Sequence, residues 1–129
     1  MAIIRTIIIY GVVDDKSRSN LVLWVKNNLE KKQKINVITD QFRAPTLSED
    51  LAQGCILTAM KSEEGIFHIS GTETKSVLDL AYTIADFWKL DKSFINPVTS
   101  EELNQIAKRP PRTGFVLDKA KKVLGYNPH

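Results

Sequence analysis

The sequence predicts an α/β fold in which a few mostly parallel strands alternate with about four or five helices. Three stretches carry that expectation. The opening run AIIRTIIIYG (2–11) is rich in β-branched residues and lacks polar alternation, the pattern of a strand buried on both faces of a parallel sheet. GIFHIS (65–70) reads as another strand, bounded by Gly65 and Gly71. Behind it, KSVLDLAYTIADFWKL (75–90) sets Val77, Leu80, Ala81, Ile84 and Trp88 on one stripe at helical spacing.

The remaining elements follow in order. After a polar turn, SNLVLWVKNNLEKK (19–32) places Leu21, Val22, Trp24, Val25 and Leu29 on one helical face, with Ser19 as N-cap. INVIT (35–39) is a short strand. In DQFRAPTLSEDLA (40–52), Pro45 restricts Ala44 to extended backbone, and Thr46 with Glu49 spells a capping box. A helix is therefore expected from Leu47, with Leu51, Cys55, Ala59 and Met60 on its buried side. TSEELNQIA (99–107) offers a second capping box, Thr99 with Glu102. LDKAKKVLGYNP (117–128) reads as a short helix started by Asp118 and stopped at Gly125 and Pro128.

Composition bounds the function. At 129 residues, 43% hydrophobic and 26% charged, the chain fits one globular domain, 1–129, and is neither disordered nor fibrous. The net charge of +3 suits a phosphorylated ligand and does not by itself indicate nucleic acid. Cys55 is the sole cysteine, so no internal disulfide forms and a reducing cytoplasm is the simplest setting. The apolar start is short, carries Arg5, and lacks a basic leader or small-residue cleavage site, which argues against a signal peptide or membrane span.

The usual motifs of chemistry are missing. Glycines 11, 54, 65, 71, 114 and 125 spell no G-x-G-x-x-G or Walker loop. Tyr10 and Tyr82 have no lysine four residues later, and no nucleophile elbow occurs. One cysteine with His68 and His129 makes no convincing zinc set.

RTIIIYG, VITDQFRAPTLSEDLA, GIFHISG, SVLDLAYTIADFW and KRPPRTGFVLDKAKKVLGYNP occur in the order and spacing of a known family. The chain resembles the C-terminal, substrate-binding half of the dTDP-4-dehydrorhamnose reductases, within the extended short-chain dehydrogenase and NAD-dependent epimerase superfamily. The shared pattern is R-T-x-x-x-Y-G, D-Q-x-x-x-P-T before D-L-A, then R-P with downstream L-D and L-G, and it covers nearly the whole chain. The resemblance implies a truncated C-terminal part of a Rossmann-like doubly wound fold. The family's glycine-rich NAD(P) loop and Tyr-x-x-x-Lys pair lie upstream of the segment resembling Arg5 to Gly11. It therefore implies NAD(P)H for a parent enzyme, and neither cofactor, metal nor catalytic residue for this chain alone.

In such enzymes the segment resembling VITDQFRAPT overlies the nucleotide-sugar pocket and the Arg-Pro segment returns to it. The resemblance thus marks Gln41, Phe42, Arg43, Arg109 and Arg112 as substrate-binding residues: arginines for a diphosphate, the Gln41 amide for a base or sugar, Phe42 for an apolar wall. Plainer readings stand beside these. Asp40 and Gln41 organise a turn, Thr46 and Glu49 are caps, and Arg43 is a solvated loop charge. His68 is a satisfied structural histidine, Trp24 and Trp88 are core, Cys55 is a small buried hydrophobe, and Lys119, Lys121 and Lys122 form a solvated face.

Three functional classes remain open. The first is the substrate-binding portion of an NAD(P)-dependent nucleotide-sugar reductase or epimerase, with a nucleotide-diphosphate sugar and the missing N-terminal half as its partners. The second is a non-catalytic regulatory or sugar-nucleotide-binding subunit of the same superfamily. The third, a basic nucleic-acid module, finds no basic-aromatic stripe in its favour. An exposed N-terminal strand, protected by GIFHIS on one side alone, is expected to self-associate through residues 2–10, by edge pairing or by swapping.

Overall fold

A computed structural model of the protein describes residues 1–15 and 19–129. Part of the polar turn before the first helix, 16–18, lies outside the described residues. The strands are β1 (Ala2–Arg5), β2 (Ile9–Tyr10), β3 (Ile35–Ile38), β4 (Phe42–Arg43), β5 (Thr46–Leu47), β6 (Gly65–His68), β7 (Lys75–Ser76) and β8 (Ile95–Val98). The helices are α1 (Leu21–Glu30), α2 (Ser48–Met60), α3 (Val77–Phe87) and α4 (Ala120–Leu124), the last wound as a π-helix. Residues divide into two compact units, Met1–Val12 with Ala44–Thr74 and Gly114–His129, and Val13–Arg43 with Lys75–Thr113. Each has its own hydrophobic cluster where a single core is expected.

In the first unit β1 pairs parallel with β6, and β2 parallel with β5. Phe67, Ile69, Leu117, Ala120, Leu124 and Tyr126 form the core. The N-terminal run is not one strand buried on both faces. Ile8 sits at φ 41, which breaks it into β1 and β2, and Ile3 and Ile9 stay exposed. Thr46 secures the break: its hydroxyl donates to Ile7 O at 2.6 Å and its N–H to Ile8 O at 2.9 Å. With that hydroxyl engaged, Thr46 is not a helix cap. α2 starts one residue later than expected, with no side-chain cap, its first turn carrying Glu49 and Asp50 against the helix dipole.

The buried side of α2 is also displaced. Asp50, Gly54 and Thr58, at i, i+4 and i+8, face inward; Cys55, Ala59 and Met60 are exposed and Leu51 is half-buried. The reason is close packing. A Cβ on Gly54 would lie 3.0 Å from the Ile69 side chain, and Thr58 satisfies its hydroxyl on Gly54 O at 2.8 Å. Apolarity alone did not mark that face, since its residues are small or polar. His68 stacks on Phe115, ring centroids 4.5 Å apart, yet its Nε2 is buried without a hydrogen-bond partner, so it is structural but not satisfied.

In the second unit β3 pairs parallel with β8, and β4 antiparallel with β7. α1 and α3 pack together through Val25, Leu29, Ala81, Ile84 and Ala85, joined by Ile35, Val37 and Ile95 of the strands. Asn20, not Ser19, caps α1, accepting from Leu23 N–H at 3.1 Å. Ser76 caps α3, accepting from Asp79 N–H at 3.0 Å. Trp24 and Trp88 are 41% and 38% exposed and are not core: the helical stripe runs past them at the helix edges, where Lys26 lies over the Trp88 ring. The Thr99 capping box does form, with reciprocal bonds of 2.8 and 3.3 Å to Glu102, but only a turn follows, ending at Asn104 with φ 47.

Candidate functional site

β4 brings distant segments together. Phe42 N–H donates to Pro111 O at 2.7 Å, and Thr113 N–H donates to Phe42 O at 3.1 Å. These bonds flank a parallel bridge between Phe42 and Arg112, so the segment K-R-P-P-R returns onto Gln41–Arg43. Two prolines stiffen the returning chain and leave it acceptors rather than donors there.

Arg43 is the surprise of this strand. It is 8% exposed, not a solvated loop charge. Its Nη1 donates to Phe42 O at 2.7 Å and Pro111 O at 3.4 Å, and its Nη2 to Gln41 Oε1 at 3.0 Å. Every acceptor is neutral. Burial, and then the nearby Arg109 charge, push its guanidinium below the ordinary arginine value. Gln41, itself buried, passes the hold along: its Nε2 donates to Gln105 Oε1 at 3.2 Å. Asp40 accepts from the N–H and hydroxyl of Ser100 at 3.0 and 2.8 Å, which keeps its carboxyl below the usual range and anchors the Thr99 turn.

The result is a cleft of about 450 Å³ whose lining includes Asp40, Gln41, Gln105, Lys108, Arg109 and Pro111. Of the five residues marked by the sequence, Gln41 and Arg109 line it. Arg43 braces Gln41 and Pro111, and the Arg112 guanidinium lies 5.6 Å from the centre of the Phe42 ring, outside the lining. Lys108 and Gln105 were not singled out, although Lys108 adjoins Arg109 in the same stiffened run. Among the described residues no carboxylate lies within ion-pair distance of Arg43, Lys108, Arg109 or Arg112. The lining also carries two acids, Asp40 and Glu101. The adjacent Lys108 and Arg109, with buried Arg43 nearby, suit an anion with several acceptor oxygens.

The first unit holds a different polar cluster. Asp50, 2% exposed, accepts from the backbone N–H and Nδ1 of His129. That hydrogen bond raises the His129 imidazole above its ordinary value. Tyr126 donates to Ser70 O at 3.0 Å, and burial followed by the Asp50 charge push its phenol up to about 12.

No described group of three or more His, Cys, Asp or Glu is placed to hold a metal ion. No described helix is long and apolar enough to cross a membrane. Gly11, Gly54 and Gly71 press against Ser48, Ile69 and Pro45 of the chain itself, so none opens a backbone cradle for a pyrophosphate.

The sequence pattern described as RmlD substrate binding domain matches residues 1–129. Spore coat polysaccharide biosynthesis protein SpsK of Bacillus subtilis is 32% identical over 108 residues, 84% of this chain and 36% of that protein. Methionine adenosyltransferase 2 subunit beta of Xenopus laevis is 30% identical over 105 residues, 78% of this chain and 31% of that protein. The structure of dTDP-4-dehydrorhamnose reductase from Bacillus anthracis in complex with NADP superposes with a TM-score of 0.85 at 25% identity, covering 98% of this chain and 43% of that one. The α/β arrangement with mostly parallel strands is thus Rossmann-like, and the chain spans about a third of the curated relatives' length.

Proposed function

Since this chain belongs to the RmlD substrate binding domain family, we propose that it is the sugar-nucleotide-binding portion of an NAD(P)-dependent dTDP-4-dehydrorhamnose reductase-like enzyme of nucleotide-sugar biosynthesis. The observation that carries this reading is the return of Lys108–Arg112 onto Gln41–Arg43, which lines one cleft with two cations that have no carboxylate within ion-pair distance among the described residues. Arg109 offers its planar fork to the diphosphate, and Lys108 adds a point charge. Arg43 holds the Gln41 amide in one orientation and contributes positive potential from behind. Phe42, with the Arg112 guanidinium 5.6 Å from its ring centre, stands beside the cleft rather than in its lining, and its apolar-wall role is the weakest of the five.

The role of these residues is to bind and orient the sugar nucleotide. The Bacillus anthracis reductase structure is a complex with NADP, whose reduced form is the hydride donor in such chemistry. This chain spells no glycine-rich dinucleotide loop, and in this reading the hydride step belongs to a further part of a longer enzyme, in line with the 43% coverage of the reductase. A cytoplasmic setting agrees with a single exposed cysteine and a sugar-nucleotide ligand.

Calorimetric titration with dTDP tests the reading. Arg109→Ala is expected to weaken binding by roughly 1.5 to 3 kcal/mol, the range for hydrogen bonds to charged groups, with the fold intact. Unchanged affinity in that variant would leave Arg109 a surface charge only.

A second reading rests on the 30% identity to methionine adenosyltransferase 2 subunit beta, whose name marks it as a subunit. In that case the chain is a non-catalytic partner, and it co-sediments with a methionine adenosyltransferase whether or not Arg109 is present. Failure to co-sediment would dismiss it.

A further inference from the structure

The polarity of the cleft wall is set from inside the second unit. Arg43 is buried, and its guanidinium carries N–H donors and no acceptor. Nη1 is pinned on two carbonyls, Phe42 O at 2.7 Å and Pro111 O at 3.4 Å, while Nη2 faces Gln41 at 3.0 Å. Only the oxygen of an amide can meet a donor-only group, so Gln41 turns Oε1 to Arg43 and Nε2 away from it. That Nε2 lies 3.2 Å from Gln105, and the same rule fixes the second amide, which must offer Oε1 in return. The Gln105 Nε2 is left over. Gln105 is half-buried in the lining beside Lys108 and Arg109, and among the described residues no hydrogen bond engages its NH2 group. An orientation handed down two amides ends as a donor at the cleft. Each bond of such a chain polarises the next, which strengthens that donor.

We propose that Gln105 is a specificity-determining residue of this cleft, its Nε2 donating to an oxygen of the bound nucleotide, and that Arg43 is the positioning residue that sets this polarity through Gln41. In the sugar-nucleotide reading, on which this inference rests, that oxygen belongs either to the diphosphate or to the base or sugar. Family resemblance assigns the hydrogen bond to base or sugar to Gln41, but each end of that amide already has a protein partner. The free donor lies one step further along the relay. Lys108 and Arg109 also bring donors and no acceptor. Both Asp40 oxygens accept from Ser100, which leaves Glu101 to accept from a ligand N–H or O–H. A ligand that set an amino group against Gln105 would bring donor to donor, which is worse than a missing bond.

Calorimetric titration of the 129-residue chain with dTDP and, separately, with inorganic pyrophosphate is the test. Gln105→Ala is expected to raise the dTDP dissociation constant roughly tenfold. An equal rise for pyrophosphate identifies the acceptor as a phosphate oxygen, and a rise for dTDP alone places it on the base or sugar. Arg43→Met frees Gln41 to turn and is expected to weaken dTDP binding to a similar extent, yet to add little in the Gln105→Ala background, because both changes remove the same donor. Arg43→Lys, still a donor without an acceptor, is expected to keep most of the affinity. Fluorescence of Trp24 and Trp88, in the same unit, reports whether each variant is folded. If Arg43→Met is not, Gln41→Glu takes its place in the cycle: the carboxylate still accepts from Arg43 but cannot donate to Gln105, which turns its Nε2 inward. A wild-type chain that does not bind dTDP overturns the sugar-nucleotide reading and this inference with it. Binding that falls in Arg109→Ala and is unchanged in Gln105→Ala overturns the inference alone. Losses from Arg43→Met and Gln105→Ala that simply add show Arg43 acting by its charge, and the relay is dismissed.

Discussion

The two four-residue parallel strand pairs, β1 with β6 and β3 with β8, differ in what they show to water. In β3·β8 the inward residues Ile35, Val37 and Ile95 are buried against α1 and α3, and the outward partners are Asn36 and Asn96, bonded side chain to side chain at 2.9 Å. In β1·β6 Phe67 is buried and Ile4 half-buried on the inner face, while the corresponding outward partners are Ile3 and Ile66. The lesson concerns alternation. A strand that alternates apolar with polar is finished by one layer of helices, whereas one apolar on both faces is finished only when something covers the second face.

The largest expected effect contrasts the covered residues with the open ones. Leu29→Ala, deep among α1, α3 and the strands, should cost about 3 kcal/mol. Ile3→Ala should cost under about 0.5 kcal/mol at concentrations where the chain is monomeric. Urea denaturation gives both numbers. Trp24 and Trp88 both lie in the second unit, so their fluorescence reports that unit's transition. An equal loss at Ile3 would mean that its face is already covered, and the contrast would collapse.

A smaller effect separates the ways in which helices approach the cores. α3 packs through Ala81 and Ala85, while α2 relies on Gly54, with no room for a methyl beside buried Ile69. Gly54→Ala gains helix propensity but overpacks this contact, for an expected net loss of about 1 kcal/mol by thermal or urea unfolding. A stabilised variant would show that Ile69 yields easily.

The smallest effect is in pH, where the two units should respond with opposite sign. His129 has its folded value raised by Asp50, so its contribution is complete below the ordinary value near 6.5 and is lost as pH climbs through the raised one. Asp40 has its folded value lowered by Ser100, so its contribution is complete above about 3.8 and is lost as pH falls through the lowered one. Amide exchange in β6 should therefore quicken on the alkaline side, and Trp fluorescence should report weakening on the acid side. His129→Gln should remove the alkaline limb alone. A limb that persists in His129→Gln belongs to another group.

Much of this architecture was legible because it follows from periodicity. The α3 stripe, the Gly65 start of β6, and the Gly125 stop with φ 70 are local patterns with local causes, whereas β6 ends at His68, short of Gly71. What escaped depends on distant partners. Thr46 beside Glu49 spells a cap, but its hydroxyl is claimed by Ile7 O, from a segment far off in sequence. β8 includes Pro97, which hides a strand until β3 is there to pair with it. Of the cleft, Gln41 and Arg109 were marked by family resemblance. The burial of Arg43 was not, because it is created by carbonyls of Phe42 and Pro111 and the amide of Gln41.

The left-handed turn of Ile8 has a bearing on solubility. Segments of six or seven apolar, β-prone residues without proline are the units that stack into cross-β fibrils, and an unbroken 2–11 would contain one. Ile8 at φ 41 interrupts any flat ladder, and Arg5 sets a charge in what remains. Together they act as gatekeepers: β1 is cut to four residues, too short to template a growing fibre.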